Sequence, residues 1–247
     1  MRRYIAMKKR QCMLLCMLCC LLSISGCGNE SILTSSDVIN TTSLDSNSSG
    51  QSNEFDSYII YSVDADVNEH EFEEVTDIIK FRAMEGLSSY NRKVDADYEK
   101  REIKLEFNYD SSWANFFVEV SARPNLLEFR KGASYTSELV LNNNDIIKAT
   151  STYDESTMNW AVIVEFNDAG KYEFAMATEE IQNSDTPISI WLDQELIYAP
   201  LVREPITDGK AVITGNFSQQ SAEELAMRIN FTYLPYDVSV KDYSLFK

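Results

Sequence analysis

Protein chemistry is done by clustered groups, and in this 247-residue chain the groups that could do it are scattered. His70 is the only histidine, set between Glu69 and Glu71 at the start of an amphipathic run. It has no second histidine or nearby cysteine with which to hold a metal or act as a positioned base, so the spacing predicts a solvated helix start. The carboxylate pairs Glu73–Glu74, Glu179–Glu180 and Glu223–Glu224 have the residue type for acid–base work, yet each falls on a helical stretch where neighbouring acids form a wet face. Gly-x-Ser-x-Gly, glycine-rich phosphate loops and His-Glu-x-x-His do not occur, and the eight glycines are dispersed at turns. No catalytic residue, metal site or cofactor is expected from these residues.

Cysteine chemistry is confined to one end. Cys12, Cys16, Cys19, Cys20 and Cys27 are the only cysteines. They follow a basic segment with Arg2, Arg3, Lys8, Lys9 and Arg10, and the apolar run over residues 12–24 is too short for an ordinary transmembrane helix. The run ends in Ile24-Ser25-Gly26-Cys27, which resembles a bacterial lipobox. The pattern predicts a lipoprotein signal peptide over 1–26 and lipid attachment at Cys27, placing the protein on the extracytoplasmic face of the cell membrane. Cleavage would leave no free thiol for a disulfide. It would also remove five of the 22 basic residues and none of the 39 acidic ones, taking the net charge from −17 to −22. Such a surface is repelled by nucleic acid and anionic headgroups, so neither is an expected partner.

Aromatic side chains are the remaining groups able to engage a partner. Trp160, Trp191, Tyr198, Phe231 and Tyr233 are the candidates for contacting a polypeptide, because an exposed aromatic on a folded scaffold binds extended chains through its faces. The elements that must position them are legible. Residues 160–166 form a nearly unbroken apolar run of strand length. Asn167 then caps a helix with Phe174, Ala177, Thr178 and Ile181 on one face. Ile188, Ile190 and Leu192 alternate on a strand that pairs, across a polar turn at residues 193–195, with residues 196–202. A short strand over 210–214 leads to a helix capped by Ser218, with Ala222, Leu225, Ala226 and Ile229 as its buried stripe.

The wording of this stretch resembles the periplasmic head of the SecD family, the accessory subunit of the bacterial Sec export machinery. The resemblance rests on Phe166, Gly170, Phe174-Ala175 and Thr178, then Leu192-Asp193, Ile197 and Ala199-Pro200. It continues through Pro205-Ile206-Thr207, Gly209, Ala211, Ile213-Thr214-Gly215-Asn216-Phe217, Glu224-Leu225-Ala226 and Leu234-Pro235. Two turns depart from the family pattern: Gln194 stands where glycine is usual, and Phe231-Thr232-Tyr233 where a glycine-containing turn is usual.

Upstream, residues 58–63 read as a strand, and a helix from about Glu69 puts Phe72, Val75, Ile79 and Ala83 on one face. Ile103, Leu105, Phe107 and Tyr109 then alternate with polar residues. A cap at Ser111 or Ser112 opens a helix with Trp113, Phe116, Phe117 and Val120 inward, and residues 126–130 form a fourth short strand. This order predicts an α+β fold: a ferredoxin-like base (βαββαβ) over 56–131, followed by a SecD-like head of mixed sheet and two helices over 132–235. A flexible Ser/Thr/Asn-rich tether over 27–55 precedes them, and 236–247 supplies a last strand returning to the base and a tail. No apolar run reaches about twenty residues, so the resemblance implies a lipid-held form rather than the gradient-driven motor. It implies binding of unfolded or exported polypeptide, or of Sec-type membrane machinery. The rival readings are an envelope hydrolase using an acidic pair and a small-ligand-binding lipoprotein, each of which needs a deep cleft with converging polar groups.

Overall fold

The structure is a computed structural model that describes residues 55–87, 91–108 and 113–246. The expected signal peptide, the expected lipid-attachment residue Cys27, the expected tether up to residue 54 and the expected cap at Ser111 or Ser112 lie outside the described residues.

The chain begins as β1 (Ser57–Val63), α1 (Glu69–Gly86), β2 (Arg92–Asp97), β3 (Glu102–Phe107) and α2 (Trp113–Val120). Asn68 starts α1 with a capping box: its side chain accepts from the Glu71 amide, and the Glu71 carboxylate accepts from the Asn68 amide. One face of β1 and β3 buries Ile59, Tyr61, Val63, Ile103, Leu105 and Phe107 against Phe72, Val75, Ile79 and Phe117 from the helices. The sixth element of this βαββαβ unit comes from the far end of the chain. β11 (Val238–Ser244) lies antiparallel beside β1, pairing Tyr61 with Val240, and the sheet order is β11-β1-β3-β2.

That arrangement corrects one expectation. Residues 126–130 do form a strand, β4 (Leu127–Lys131), but it pairs with strands of the second region and not with the base. A short alternating segment fits either sheet, and the place beside β1 is taken by β11. A second correction concerns α2, whose buried stripe is Ala114, Phe117, Val118 and Val120. Small Ala114 occupies the tight contact, which rotates Trp113 and Phe116 to half-buried positions where their rings meet edge to face at 6.1 Å. β2, whose sequence shows no clean pattern, is a charged edge strand with one neighbour.

The second region continues through β5 (Glu138–Asn142), β6 (Ile146–Asp154), β7 (Asn159–Phe166), α3 (Asp168–Ile181), β8 (Ile188–Leu192), β9 (Glu195–Tyr198), β10 (Lys210–Phe217) and α4 (Gln219–Asn230). Its strands form two antiparallel sheets, ordered β5-β4-β8-β9 and β10-β7-β6. Asn167 caps α3 by accepting from the Gly170 amide at 2.9 Å, and Ser218 caps α4. Both helices bury the predicted stripes. Phe129, Phe166 and Phe174 meet at ring separations of 4.9–5.7 Å at the centre of the core.

The two unusual turns resolve differently. Asp193 and Gln194 both adopt positive φ, 53° and 70°, in a two-residue hairpin loop between Leu192 and Glu195. This is the mirror-image turn that matches strand twist, held here with a side chain where glycine would relieve strain. After α4 there is no left-handed residue. Phe231 leaves the helix extended, at φ −65° and ψ 133°, and inserts into the base core edge to face with Phe117.

Candidate functional site

Two strands of the second region place chemistry on an outer sheet face. Along β4, Leu127 and Phe129 point into the core, so Glu128 and Arg130 point out. On β8, Ile188, Ile190 and Leu192 point in, leaving Ser189 and Trp191 on the same outer face. Cross-strand register sets Glu128 opposite Trp191 and Arg130 opposite Ser189. Arg130 donates to Glu128 at 2.9 Å, with both side chains largely buried.

The loop joining β4 to β5 folds Tyr135 over this pair. Its ring lies 4.5 Å under the Arg130 guanidinium and 5.5 Å from the Trp191 ring, edge to face. Burial, and then the Glu128 carboxylate, hold the Tyr135 hydroxyl above its ordinary range. The Trp191 indole N–H donates to Ser189 Oγ at 2.8 Å, and Ser189 Oγ donates to the Gly132 carbonyl at 2.5 Å. The indole is thereby fixed with its polar atom satisfied, and one aromatic surface remains at the protein exterior. Leu139 on β5 and Leu196 on β9, 43% and 51% exposed, flank it opposite Arg130 and Trp191. The result is an aromatic and aliphatic platform with a built-in ion pair.

A polar network anchors the end of the platform nearest the base. Asp193 accepts from the Leu126 amide at 2.8 Å and from the Arg228 guanidinium at 2.9 Å, and Arg228 also donates to Asn125 Oδ1. Tyr233 lies beside Glu128 and Asp193, and burial, followed by those charges, raises its hydroxyl above the usual value.

Arg82 on α1 is fully buried and fixes both chain segments that pass between the two regions. Its five N–H groups donate to the carbonyls of Ser121, Arg123 and Pro124 on the outgoing segment and Thr232 on the returning one, at 2.5–3.1 Å. Burial pushes its pKa down to about 10, so it remains a cation at neutral pH.

The five aromatic candidates are not brought together. Trp191 belongs to the platform and Tyr233 to its edge. Trp160 lies on β7 in the other sheet, where it meets Tyr153 edge to face at 5.6 Å, and Tyr198 ends β9 in the platform's own sheet, its hydroxyl accepting from Thr214 on β10. Phe231 is only 1% exposed, packed against Phe117 and under the Arg82 guanidinium, so its expected role as a surface contact is corrected to that of a core anchor. Pattern reading missed Glu128, Arg130 and Tyr135. The strict alternation of charged with apolar residues over 127–130 was the signal that a strand there keeps one decorated face.

His70 sits exposed on α1 near Glu73 and Glu74. Among the described residues no group of three or more potential ligands could hold a metal, and no helix is long and apolar enough to cross a membrane. Two grooves lie among the described residues, one of about 280 Å³ by Met84, Arg92, Trp113 and Met227, and another of about 260 Å³ beside β6.

Comparison with known proteins agrees with the resemblance. The family profile described as SecDF, P1 head subdomain, matches residues 124–236. The SecD translocase subunit of Acetobacter pasteurianus is 35% identical over 100 residues, 40% of this chain and 19% of that protein. That of Petrotoga mobilis is 28% identical over 167 residues, 68% of this chain and 33% of the relative. The chain spans about a fifth of the length of the first curated relatives it matches. Among solved structures, a chain from a study of SecDF, a membrane component that enhances protein export, superposes at a TM-score of 0.62 with 19% identity, covering 76% of this chain and all of that one. SecDF in a super-membrane-facing form gives a TM-score of 0.62 at 18% identity, covering 76% of this chain and 30% of its own. The second region, built of β4 to α4, lies within the residues that match the SecDF P1 head subdomain, and over it the chain is similar to SecD translocase subunits.

Proposed function

We propose that this protein is a non-catalytic SecD-like lipoprotein, held by lipid on Cys27 at the outer face of the cytoplasmic membrane, whose head binds polypeptide or a membrane partner in protein export or envelope quality control. The observation that carries this reading is the platform of Trp191, Tyr135, Leu139 and Leu196 on an outer sheet face of the region that matches the SecDF P1 head subdomain. A fixed indole and an exposed aliphatic rim suit side chains of varied identity, as a binder of unfolded chains requires. Among the named aromatics, Trp160, Tyr198 and Tyr233 serve as secondary contacts.

Two experiments test the two parts. Cys27→Ser should move the protein from the membrane to the soluble secreted fraction or leave an unprocessed precursor; normal cleavage with retention on salt-washed membranes would remove the lipid anchor from the account. A photo-crosslinking residue at Leu139 or Leu196 should capture polypeptides in export or a Sec component in living cells. Crosslinks confined to unrelated folded proteins would refute the export assignment.

A further inference from the structure

Among the described residues β6 is an edge strand, paired with β7 and with no other strand. At Ala149 its open side is already engaged by something other than a strand. The Ala149 amide donates to Asn230 Oδ1 at 2.6 Å and the Ala149 carbonyl accepts from Asn230 Nδ2 at 2.9 Å, so a side-chain amide at the end of α4 imitates the main chain of a neighbouring strand. Antiparallel register with β7 runs unbroken from Lys148 to Asp154. Main-chain groups alternate sides along a strand, so the N–H and C=O of Ser151 and Tyr153 point the same way as those of Ala149. No partner for them occurs among the described residues. Beside this edge lies the groove of about 260 Å³, bounded by Ala149, Thr150, Ser151, Ala226, Met227 and Asn230. Glu85 and Glu223 complete its walls, and no lysine or arginine lines it.

We infer that the open edge of β6 is a docking site for an extended, basic polypeptide segment, which adds as a strand along Ser151–Tyr153 with cationic side chains toward Glu85 and Glu223. Main-chain pairing would supply sequence-tolerant affinity and the two carboxylates a preference for positive charge. Asn230 sets the boundary by occupying the edge at Ala149, so the incoming strand begins one pair further on. The inference rests on the polypeptide-binding reading above but uses a surface separate from the Trp191 platform.

The test uses the purified full chain with a peptide of alternating Val and Lys and its Val and Glu counterpart, read by titration and by amide hydrogen exchange. The basic peptide should bind at least tenfold more tightly than the acidic one and slow exchange at Ser151 and Tyr153. Ser151→Pro removes the outward donor while leaving the β7 pairing intact, and should weaken binding of the basic peptide at least tenfold; Lys93→Ala, on the outer face of the base sheet, should change it less than twofold. Loss with Trp191→Ala but not Ser151→Pro would overturn the β6 site and keep the platform. Absence of binding by the unaltered chain would overturn both. If Ser151→Pro does not fold, exchange in the unaltered chain decides: protection of Ser151 and Tyr153 that needs the basic peptide supports the site. Protection already present in the free chain, or rising with protein concentration alone, would show the edge covered by the chain's own terminal segment or by a second copy, and would overturn it.

Discussion

The described residues form two four-stranded antiparallel sheets, each with one face buried, and their outer faces differ in kind. On the base sheet the outer face is ionic. Lys93 pairs with Asp95 and Glu106, Lys104 with Glu106, and Lys241 with Glu102, while the Tyr58 hydroxyl donates to Asp242. Such exposed pairs contribute about 0–1 kcal/mol each, and their effect is to keep the face hydrated and its edges unsuited to association. On the head sheet the corresponding face carries Trp191, Tyr135, Leu139 and Leu196, and the Glu128–Arg130 ion pair among them is withdrawn from solvent. The same architecture therefore presents a charged face in one region and an aromatic and aliphatic one in the other, distinguished by which residues occupy the outward positions of the strands.

Breaking the connection between the regions should give the largest effect. Arg82→Met would leave the carbonyls of Ser121, Arg123, Pro124 and Thr232 without a donor in a buried site, at a cost of about 3–5 kcal/mol. Urea unfolding checks this, and the variant should also uncouple base from head into two transitions; a single transition with a loss under about 1 kcal/mol would mean Arg82 holds neither segment.

Within the base, Phe117→Ala should cost about 3–5 kcal/mol and half-buried Phe116→Ala about 1 kcal/mol. The reverse order in unfolding midpoints would restore the helix facing expected from the i, i+3, i+4 spacing alone.

In the head, Gln194→Gly should stabilise by about 0.5–1 kcal/mol, because φ near 70° suits glycine and strains a side chain. Thermal unfolding would register a small rise, and a fall would contradict the mirror-image turn.

The smallest effect concerns alkaline pH. Burial raises the Tyr61 hydroxyl above 10, its ordinary value. A folded-state pKa above the unfolded one means the contribution of the neutral phenol is complete below about pH 10 and is lost as pH rises toward the folded value. Unfolding free energy should therefore decline from about pH 10 upward, and Tyr61→Phe, despite losing the bond to Ser121, should flatten that decline. An unchanged slope would show that Tyr61 is not sealed in the folded state.

Periodicity made the local elements legible, because α3, α4, β1, β3, β7 and β8 each bury a stripe wide enough to read. Partnership between distant segments was harder. Nothing within residues 126–130 distinguishes a base strand from a head strand, since the choice depends on β8 and β11, about sixty and over one hundred residues away in sequence. The same holds for Arg82, which reads as a helix-surface cation until the two crossing segments close over it. Phe231 looked like a surface aromatic because its burial depends on Phe117, and the platform was half visible: Trp191 stands out by type, whereas Tyr135 reaches it only through a loop whose course no pattern specifies.

The most direct test of the contact-surface account is titration of the purified full chain with an unfolded model protein, comparing the unaltered protein with Trp191→Ala and with a base-face control, Lys93→Ala. The account predicts weak, measurable association, reduced at least fivefold by Trp191→Ala at nearly unchanged unfolding midpoint and unaffected by Lys93→Ala. No association at polypeptide concentrations approaching about 1 mM, where binding worth only about 4 kcal/mol would still register, or equal loss from both substitutions, would contradict it.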